Sequence, residues 1–315
     1  MKKIIFISIL SVFVYSVHSR NHIAVRNVSY HNDTIRTAYK DVSKEKRHEV
    51  SVWLGGGYSS LRYKPAVGDY AYGLGDRAGI GYTYLFKPQW GISTGLELDV
   101  YKASTSIANH RDRYRAIDDE DRYNQMTLLV DRFDNFEEAQ RAFYLSLPVM
   151  IQYQSNGEES RTFYAALGGK IGIPVQSKYK STGDYLTRGQ YDFTQTVFED
   201  MPEHGFGVYE DLKANEKLRL NPDFRLSGEL GYKWHLDENW YLYTGVYCDY
   251  GLNDIRKTKN NPYRVLQYNR ENPVEYTIHS IAESQYTDDK GTRSYIKKMN
   301  TLSFGIKLKI AFKLD

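Results

Sequence analysis

The sequence predicts an all-β protein, an eight-stranded antiparallel transmembrane β-barrel with short periplasmic turns and long extracellular loops. Three observations lead to this fold class. Apolar and polar residues alternate in eight segments, the connections between these segments are short and long in turn, and the chain begins like an exported protein. A strand whose faces meet different surroundings alternates with a period of two, whereas a helix repeats near 3.6 residues. An even number of strands places both chain ends on the periplasmic side.

The beginning of the chain predicts export. In residues 1–19, Lys2 and Lys3 precede about a dozen apolar residues, which is the pattern of a signal peptide. Residues 20–47 are polar and charged without sustained periodicity, and we expect a periplasmic lead-in segment there. Alternation begins near residue 48, so residues 48–315 are predicted to form the barrel. No later run reaches the ~18 apolar residues that a membrane-spanning helix needs.

The composition excludes several classes of protein. A single Cys among 315 residues excludes a disulfide framework and a Cys-based zinc site within one chain. The 42 basic and 39 acidic residues nearly balance, so the chain lacks the basic field of a nucleic-acid-binding protein, and we expect no nucleic-acid partner. The 29 Tyr and 24 Gly are typical of a sheet protein with aromatic residues at a membrane interface. No cofactor is expected.

Each predicted strand keeps its apolar residues on one face. In chain order the strands cover residues 50–58, 78–86, 90–101, 143–153, 162–175, 224–236, 240–250 and 301–312. The last one shows the pattern most clearly, because Lys307 and Lys309 lie on the face opposite to six apolar side chains. These six are Leu302, Phe304, Ile306, Leu308, Ile310 and Phe312. The first, second and seventh segments follow the same rule more weakly.

The connections between strands alternate in length. Short connections lie at residues 87–89, 155–160 and 237–239. The long ones lie at residues 64–76, 108–138, 178–222 and 254–297. Short periplasmic turns and long outer loops are typical of a transmembrane barrel. A water-soluble barrel or sandwich is the alternative fold, and the aromatic residues near the strand ends favour the membrane barrel.

Two prolines interrupt the pattern. Pro148 and Pro174 lie within the fourth and fifth predicted strands, on the face predicted to line the lumen. Proline cannot donate a hydrogen bond to the sheet, and a closed barrel has no free edge. We therefore expect a bulge or a local irregularity at each of them.

The lumen of an eight-stranded barrel is just wide enough to be filled by side chains. The predicted inward positions carry four acidic and five basic residues: Glu97, Asp99, Glu229 and Asp249, with Lys170, Arg225, Lys233, Lys307 and Lys309. An isolated buried charge is very costly, so these groups are expected to pair in a structural network. The alternative is a narrow channel, in which the charged lumen forms a gated path for protons or ions.

The histidines give little support for an enzyme. An enzyme acting on lipid or peptide at the outer rim would need a His beside a Ser or an acidic residue. His48 and His235 fall near the periplasmic end, and His110 and His279 lie in long loops without a paired motif. The segment from Glu199 through Glu203-His204 offers an acid/base or metal cluster in the third long loop, but acidic neighbours of this kind are common in charged loops. We predict no catalytic residue and no metal site.

The long loops contain many aromatic residues. Those of the third and fourth long loops are Tyr185, Tyr191, Phe193, Phe198, Phe206, Tyr209, Tyr263, Tyr268, Tyr276, Tyr286 and Tyr295. Tyr-rich polar loops supply rigid contact area at recognition surfaces. The alternative is that these rings pack the loops into a cap above the barrel.

Four segments carry a resemblance to a known family. They are VSVWLGGGYSS, GISTGLELDVY, LSGELGYKW and LSFGIKLKIAF. Together with the signal peptide, they resemble the PorT-like outer-membrane β-barrel domain proteins of Bacteroidota and, more distantly, the OmpA/OmpX-like small barrels. The resemblance implies an integral outer-membrane protein of a Gram-negative bacterium, with outer-membrane lipid and the barrel-assembly machinery as partners. Some relatives take part in protein secretion, so it also implies an envelope complex as a partner.

The final strand resembles the assembly signal that the barrel-insertion machinery reads. The residues that carry this resemblance are Ser303, Gly305, Leu308, Ile310 and Phe312. The chain continues past the aromatic residue with Lys313-Leu314-Asp315, which departs from the usual terminal pattern. The leading hypothesis is a non-enzymatic barrel that acts through its extracellular loops or as a subunit of an envelope or secretion complex.

Overall fold

The computed structural model describes residues 47–118, 125–156, 160–194, 196–257 and 262–314. The predicted signal peptide and nearly all of the lead-in segment lie outside these residues. Within the described ranges, the helical structure is limited to one 3-10 turn at Pro202–His204. No helix in this part of the chain is long and apolar enough to cross a membrane.

The described residues form sixteen β-strands. In chain order they are β1 (His48–Pro65), β2 (Asp69–Tyr72), β3 (Leu74–Lys87), β4 (Trp90–Ile107), β5 (His110–Ile117), β6 (Gln125–Gln154), β7 (Arg161–Tyr191), β8 (Val197–Phe198), β9 (Gly207–Lys217), β10 (Asp223–His235), β11 (Trp240–Gly251), β12 (Leu266–Gln267), β13 (Thr277–Ile278), β14 (Gln285–Asp288), β15 (Gly291–Ser294) and β16 (Ile296–Leu314).

Eight of these strands close into a barrel. They pair antiparallel in the order β1, β3, β4, β6, β7, β10, β11 and β16. The last strand then pairs antiparallel with the first, for example Ile310 opposite Val52. The predicted all-β fold with eight barrel strands is confirmed, and each predicted strand segment overlaps one strand of this ring.

The barrel is apolar outside and polar inside. On β16, for example, Ile306 is 67% exposed and Leu308 is 54% exposed, whereas Lys307 between them and Ser303 before them are buried. The same alternation runs through the barrel portions of the other seven strands. At the end with the short turns, aromatic rings meet across strands, as where Trp240 lies 5.0 Å from Phe312. An apolar outer band with aromatic residues at its edge is the surface that a bilayer requires.

The irregularities expected at the two prolines differ in kind. The pairing of β6 with β7 shifts register where Phe143 is opposite Gln176 and Tyr144 is opposite Pro174, which is a bulge at the second proline. At Pro148 the register of β6 against β4 is kept. No pairs form between Thr94 opposite Val149 and Glu97 opposite Ser146, so the ladder is interrupted there.

Two of the long connections are not loops, which corrects the prediction. The strands β6 and β7 contain 30 and 31 residues, whereas a transmembrane strand needs only about 10. Their extra length, with β5, β8 and β9, forms a wall that projects beyond the barrel. The alternation continues in this wall, but its sense is reversed: Met126, Leu128 and Val130 are buried on the inner side, and polar residues lie outside. A pattern of outward-facing apolar residues therefore identifies only the membrane-spanning part of β6 and β7 and not their full length.

The connection between β11 and β16 covers the inner side of the wall. It carries the small antiparallel pairs β12–β13 and β14–β15. Ile255, Ile278 and Ile281 belong there to the same hydrophobic core as Phe133 and Phe136 of the wall. The wall and this connection, which we call the cap, therefore have their own hydrophobic core above the barrel.

Candidate functional site

The lumen contains more charged groups than the sequence predicted. The nine predicted residues Glu97, Asp99, Lys170, Arg225, Glu229, Lys233, Asp249, Lys307 and Lys309 are all buried within the ring of strands. Three further residues, Glu49, Arg77 and Asp223, are buried among them. All three precede the predicted starts of their strands by one residue, so extending the alternation by one position would have found them. Six carboxylates and six cations thus neutralise one another in the lumen.

The central group of charges surrounds Arg77. Its Nη2 atom lies 2.6 Å from an Asp249 carboxylate oxygen, and its Nη1 atom lies 3.6 Å from Oε1 of Glu97. The ammonium of Lys170 lies 2.7 Å from the same Glu97 oxygen and 3.2 Å from Asp249. Arg77 also lies 3.4 Å from Asp99, so each cation bridges at least two carboxylates, an arrangement that compensates for their burial.

The group of charges nearest the cap is centred on Arg225. Its Nη1 atom lies 2.8 Å from Oδ2 of Asp99, and its Nε atom lies 3.1 Å from Oδ2 of Asp223. The same guanidinium donates hydrogen bonds to the hydroxyls of Tyr101 and Ser146. The planar fork of an arginine can satisfy this many acceptors at once, whereas a lysine could not.

The group of charges near the short turns is less tightly paired. The ammonium of Lys307 lies 2.5 Å from Glu229, and that of Lys233 lies 2.6 Å from Glu49. Lys309 has no carboxylate within ion-pair distance among the described residues, and its ammonium instead lies 3.8 Å from the ring centre of Tyr243. A cation over an aromatic face is attracted by the ring quadrupole.

An indole ring fills the space between these groups. Trp53 donates from Nε1 to Glu97 at 2.7 Å, and Lys307 lies 4.5 Å above the ring. A Cβ at Gly79 or Gly95 would come within 2.4 or 2.8 Å of the indole, so these positions need glycine. The space left between the Trp53 and Glu229 groups is about 20 Å³, enough for about one water molecule. The barrel interior is therefore packed rather than open.

The acidic groups of the lumen do not fit a metal ion. Carboxylate oxygens of Glu97, Asp99 and Asp249 lie within 4.8 Å of one another, as in a cation site. Arg77 and Lys170 already lie among these oxygens, and two fixed positive charges at this distance repel a further cation. The cluster is an ion-pair network.

The histidine cluster considered in the third long loop does not assemble. His204 lies 3.1 Å from Asp118, not beside Glu199, which instead lies 3.6 Å from Arg188. The Asp118 carboxylate also accepts a hydrogen bond from Tyr191. Asp118 is 86 positions away from His204 in the sequence. Adjacency along the chain therefore did not identify the partner of this histidine.

The other histidines pack against aromatic rings. His48 lies at the short-turn end beside Tyr82, and His235 at the same end lies 5.1 Å from the ring of Tyr241. In the cap, His110 meets the ring of Tyr286 edge-on at 4.8 Å, and burial lowers its pKa to about 4. His279 is the fifth, stacked on a tyrosine of the same connection.

The aromatic residues of the long loops form a core rather than a contact surface. Six are buried: Tyr185, Tyr191, Phe206, Tyr268, Tyr286 and Tyr295. Phe198, Tyr209 and Tyr276 are partly buried against the same core, and Tyr263 stacks on His279 at 3.9 Å. Phe193 is the exposed member of the set, at 67%. Of the two interpretations of these residues, the structure favours packing within the cap.

A buried carboxyl group that has no cation partner among the described residues ties the cap connection to the wall. Glu138 on β6 lies beyond the apolar band, and it accepts hydrogen bonds from Ser280 Oγ at 2.6 Å and from the Ile281 amide at 3.0 Å. Gln140 donates a third at 2.6 Å. Burial raises the pKa of Glu138 to about 7, against the effect of these hydrogen bonds. Asp112 on β5 has a cation partner, Arg264 at 2.9 Å, yet burial still raises its pKa to about 6.

The residues predicted as an assembly signal lie on both faces of β16. Leu308 and Ile310 are exposed on the apolar outer face, with Phe312 at the short-turn end of the same face. Ser303 is buried in the lumen, and Gly305 is paired with Gly57 across the closing seam. Their recognition by the insertion machinery stays a prediction.

Comparison with known proteins supports the architecture. A family model described as the outer membrane protein beta-barrel domain matches residues 37–257. Similar solved structures include neisserial surface protein A, with 8% identity, 85% of this chain and 97% of that chain covered, and a TM-score of 0.33. Ail, the attachment invasion locus protein of Yersinia pestis, has 10% identity, coverages of 84% and 97%, and a TM-score of 0.26. OprG from Pseudomonas aeruginosa has 12% identity, coverages of 82% and 95%, and a TM-score of 0.25. No curated protein sequence matches the chain significantly.

Proposed function

The chain belongs to the family of outer-membrane proteins with a β-barrel domain, and we propose that it is a non-enzymatic barrel that holds its cap outside the cell as a binding surface. The observation that carries this proposal is the contrast between the two parts of the molecule. The lumen is neutral and filled, with about 20 Å³ of space between the Trp53 and Glu229 groups. The cap, in contrast, is an ordered structure with its own core.

The proposed orientation places the cap outside and both chain ends in the periplasm. Short connections such as residues 87–89 and 237–239 lie at one end of the barrel, together with His48 of β1 and the end of β16. Outer-membrane barrels have short turns on the periplasmic side and long connections on the outer side. The length of β6 and β7 beyond the apolar band supports the same assignment.

Membership of an envelope complex, such as a secretion complex, is the partner class that we propose. The resemblance to PorT-like barrels supports it. The outer edge of β9 also supports it, because β9 pairs only with β7 among the described strands and leaves an edge for another chain. An unpaired edge strand is a template for the addition of a further strand.

The test is site-specific photo-crosslinking in native outer membranes. A benzophenone side chain at Phe193, which is exposed in the cap, is compared with one at Phe163, which is 40% exposed on the apolar band. We expect a discrete protein adduct only from position 193, and the same adduct from an exposed position on β9 such as Lys213. Crosslinks to lipid alone from both cap positions would contradict the proposal. In planar bilayers the purified barrel is expected to show no steady ion conductance, and a conductance that changes with Lys170→Glu would instead support a channel.

A further inference from the structure

A row of cations crosses four adjacent strands on the outside of the molecule. Lys102 on β4 pairs with Arg141 on β6, Arg141 pairs with Lys178 on β7, and Lys178 pairs with Lys217 on β9. Directly opposite residues of an antiparallel pair point to the same face, so the four side chains form one line. We call it the cationic row. In the next line towards the cap, Lys180 adds a fifth positive charge.

In the part of the chain that the structure describes, the cationic row has no paired counter-charge. None of its four residues forms an ion pair with an acidic residue in the described parts of the chain. The next line consists of Ser104, Ala139, Lys180 and Asn215, again without a carboxylate. Like charges placed directly opposite each other destabilise a sheet. Three consecutive repulsive pairs in an otherwise well-paired barrel therefore indicate that an external anion neutralises them.

The cationic row lies just beyond the apolar outer band, and this position indicates where the anion comes from. Exposed apolar residues of the outer band end two lines below it, at Leu98 on β4 and Leu145 on β6, and at Val175 on β7. The line between contains Val100, Phe143 and Gln176. Arg141 also packs against the last aromatic ring of the band, with its guanidinium carbon 4.6 Å from the ring centre of Phe143. The row thus lies where hydrocarbon gives way to lipid head groups, and lysine and arginine at this depth contact head-group phosphates.

A groove accompanies the row. It has a volume of about 530 Å³, and it is lined by residues that include Tyr72, Lys102, Arg141, Phe143, Lys178 and Asn215. Exposed tyrosine and asparagine beside fixed cations suit a phosphorylated sugar, which offers both an apolar ring face and hydroxyl groups. Four strands spaced about 4.8 Å apart spread the cations over about 14 Å. One phosphodiester head group meets only a part of this length, whereas a disaccharide with a phosphate at each end meets most of it.

We propose that the cationic row and its groove bind the phosphorylated disaccharide of the outer-leaflet glycolipid, with its acyl chains lying along the apolar band below. This inference rests on the proposed orientation, because the cap side must face outwards for the row to meet the outer leaflet. It is independent of any protein partner of the cap.

The test measures glycolipid retention by the purified full chain in detergent. Native mass spectrometry is carried out with added lipopolysaccharide, with the same material after phosphatase treatment, and with phosphatidylglycerol. The variant Arg141→Gln/Lys178→Gln removes two central charges, and Lys290→Gln/Lys298→Gln removes two exposed cap charges as a matched control. We expect the bound fraction of lipopolysaccharide to fall about tenfold or more in the first variant, and to change little in the control.

Each other outcome overturns the proposal in a distinct way. Equal binding of dephosphorylated and intact lipopolysaccharide would show that the site does not recognise the phosphate groups. Phosphatidylglycerol binding that is as strong, and as sensitive to the double variant, would show a phospholipid site and would also contradict the proposed orientation. The heat-modified mobility of the folded barrel establishes that both variants fold. The two proposals can fail separately. If glycolipid binding is absent while the protein adduct at position 193 forms, only this inference is wrong. If the adduct is absent while glycolipid binds at the row, only the proposed function of the cap is wrong.

Discussion

The substitution Glu138→Gln should remove a pH-dependent loosening of the cap. The carboxyl group is neutral in the folded cap at pH 5, because burial raises its pKa to about 7 from an ordinary value of 4.5. Its contribution to cap stability is fully present below pH 4.5 and is lost as the pH rises through about 7. One pKa unit corresponds to about 1.4 kcal/mol, so ionisation weakens the attachment of the connection at Ser280 and Ile281 by about 3 kcal/mol.

Glutamine preserves the contacts of the neutral acid. The Oε1 atom of Gln140 is buried without a hydrogen-bond partner next to Glu138. Rotation of that amide by half a turn presents this acceptor to the new NH₂ group, while the new carbonyl oxygen still accepts from the Ile281 amide. The variant should therefore fold, and its cap should be as stable at pH 8 as the wild-type cap is below pH 4.5.

The assay is hydrogen exchange at the Ile281 amide in the detergent-solubilised barrel. After correction for the intrinsic pH dependence of exchange, opening in the wild type should become more frequent on the order of a hundredfold between pH 4.5 and 8. In Glu138→Gln it should be constant. The exposed neighbour Glu137 provides the control, since Glu137→Gln should keep the wild-type profile. An identical pH dependence in the wild type and Glu138→Gln would refute the reasoning.

Three further substitutions test the barrel itself. Lys170→Met removes one of the two cations that Glu97 and Asp249 share and leaves a buried excess of negative charge beside Arg77, so it should lower the free energy of unfolding by about 3–5 kcal/mol. Lys309→Met breaks no ion pair and should be neutral or stabilising. Urea unfolding in detergent measures both. Gly79→Val places a side chain against the indole of Trp53, which lies 2.4 Å from an added Cβ, and should weaken or abolish the heat-modifiable folded band. Partial recovery of that band in Gly79→Val/Trp53→Ala would identify the indole clash as a cause. Ile306→Arg puts a charge on the lipid-facing surface and should cost about 2–4 kcal/mol, against little change for a serine there; equal losses would argue against a bilayer around this position.

The barrel could be predicted from the sequence because its two faces meet different surroundings. Lipid outside and polar groups inside impose a strict alternation, so segments such as 301–312 identify their own strand and its orientation. The same signal weakens where a strand leaves the membrane. The outer part of β6 meets water outside and a core inside, and its alternation is carried by residues such as Thr127 and Leu129 that contrast less with their neighbours.

The partners of the charged residues could not be predicted. Nine of the twelve lumen charges were identifiable as inward-facing, but Arg77 on β3 contacts Asp249 on β11, which lies across the barrel rather than on a neighbouring strand. Contacts across a lumen depend on the stagger of the whole barrel, which no single segment encodes. The same holds for His204 and Asp118, which are 86 positions apart.

The change from apolar to polar outward-facing residues along β6 and β7 fixes how deeply the barrel sits in the membrane. Sliding the barrel inward by one residue pair, about 7 Å of strand, would carry Arg141 and Lys178 into hydrocarbon, and sliding it outward would strip lipid from the band below them. The vertical position of the barrel is thereby fixed from both directions. The sixteen residues of β6 from Gln125 to Gln140 then hold the top of the cap at a set height, roughly 40 Å above the hydrocarbon for a strand tilted as in known barrels. In the proposed orientation, a molecule that binds to the top of the cap is held at a fixed distance from the cell surface.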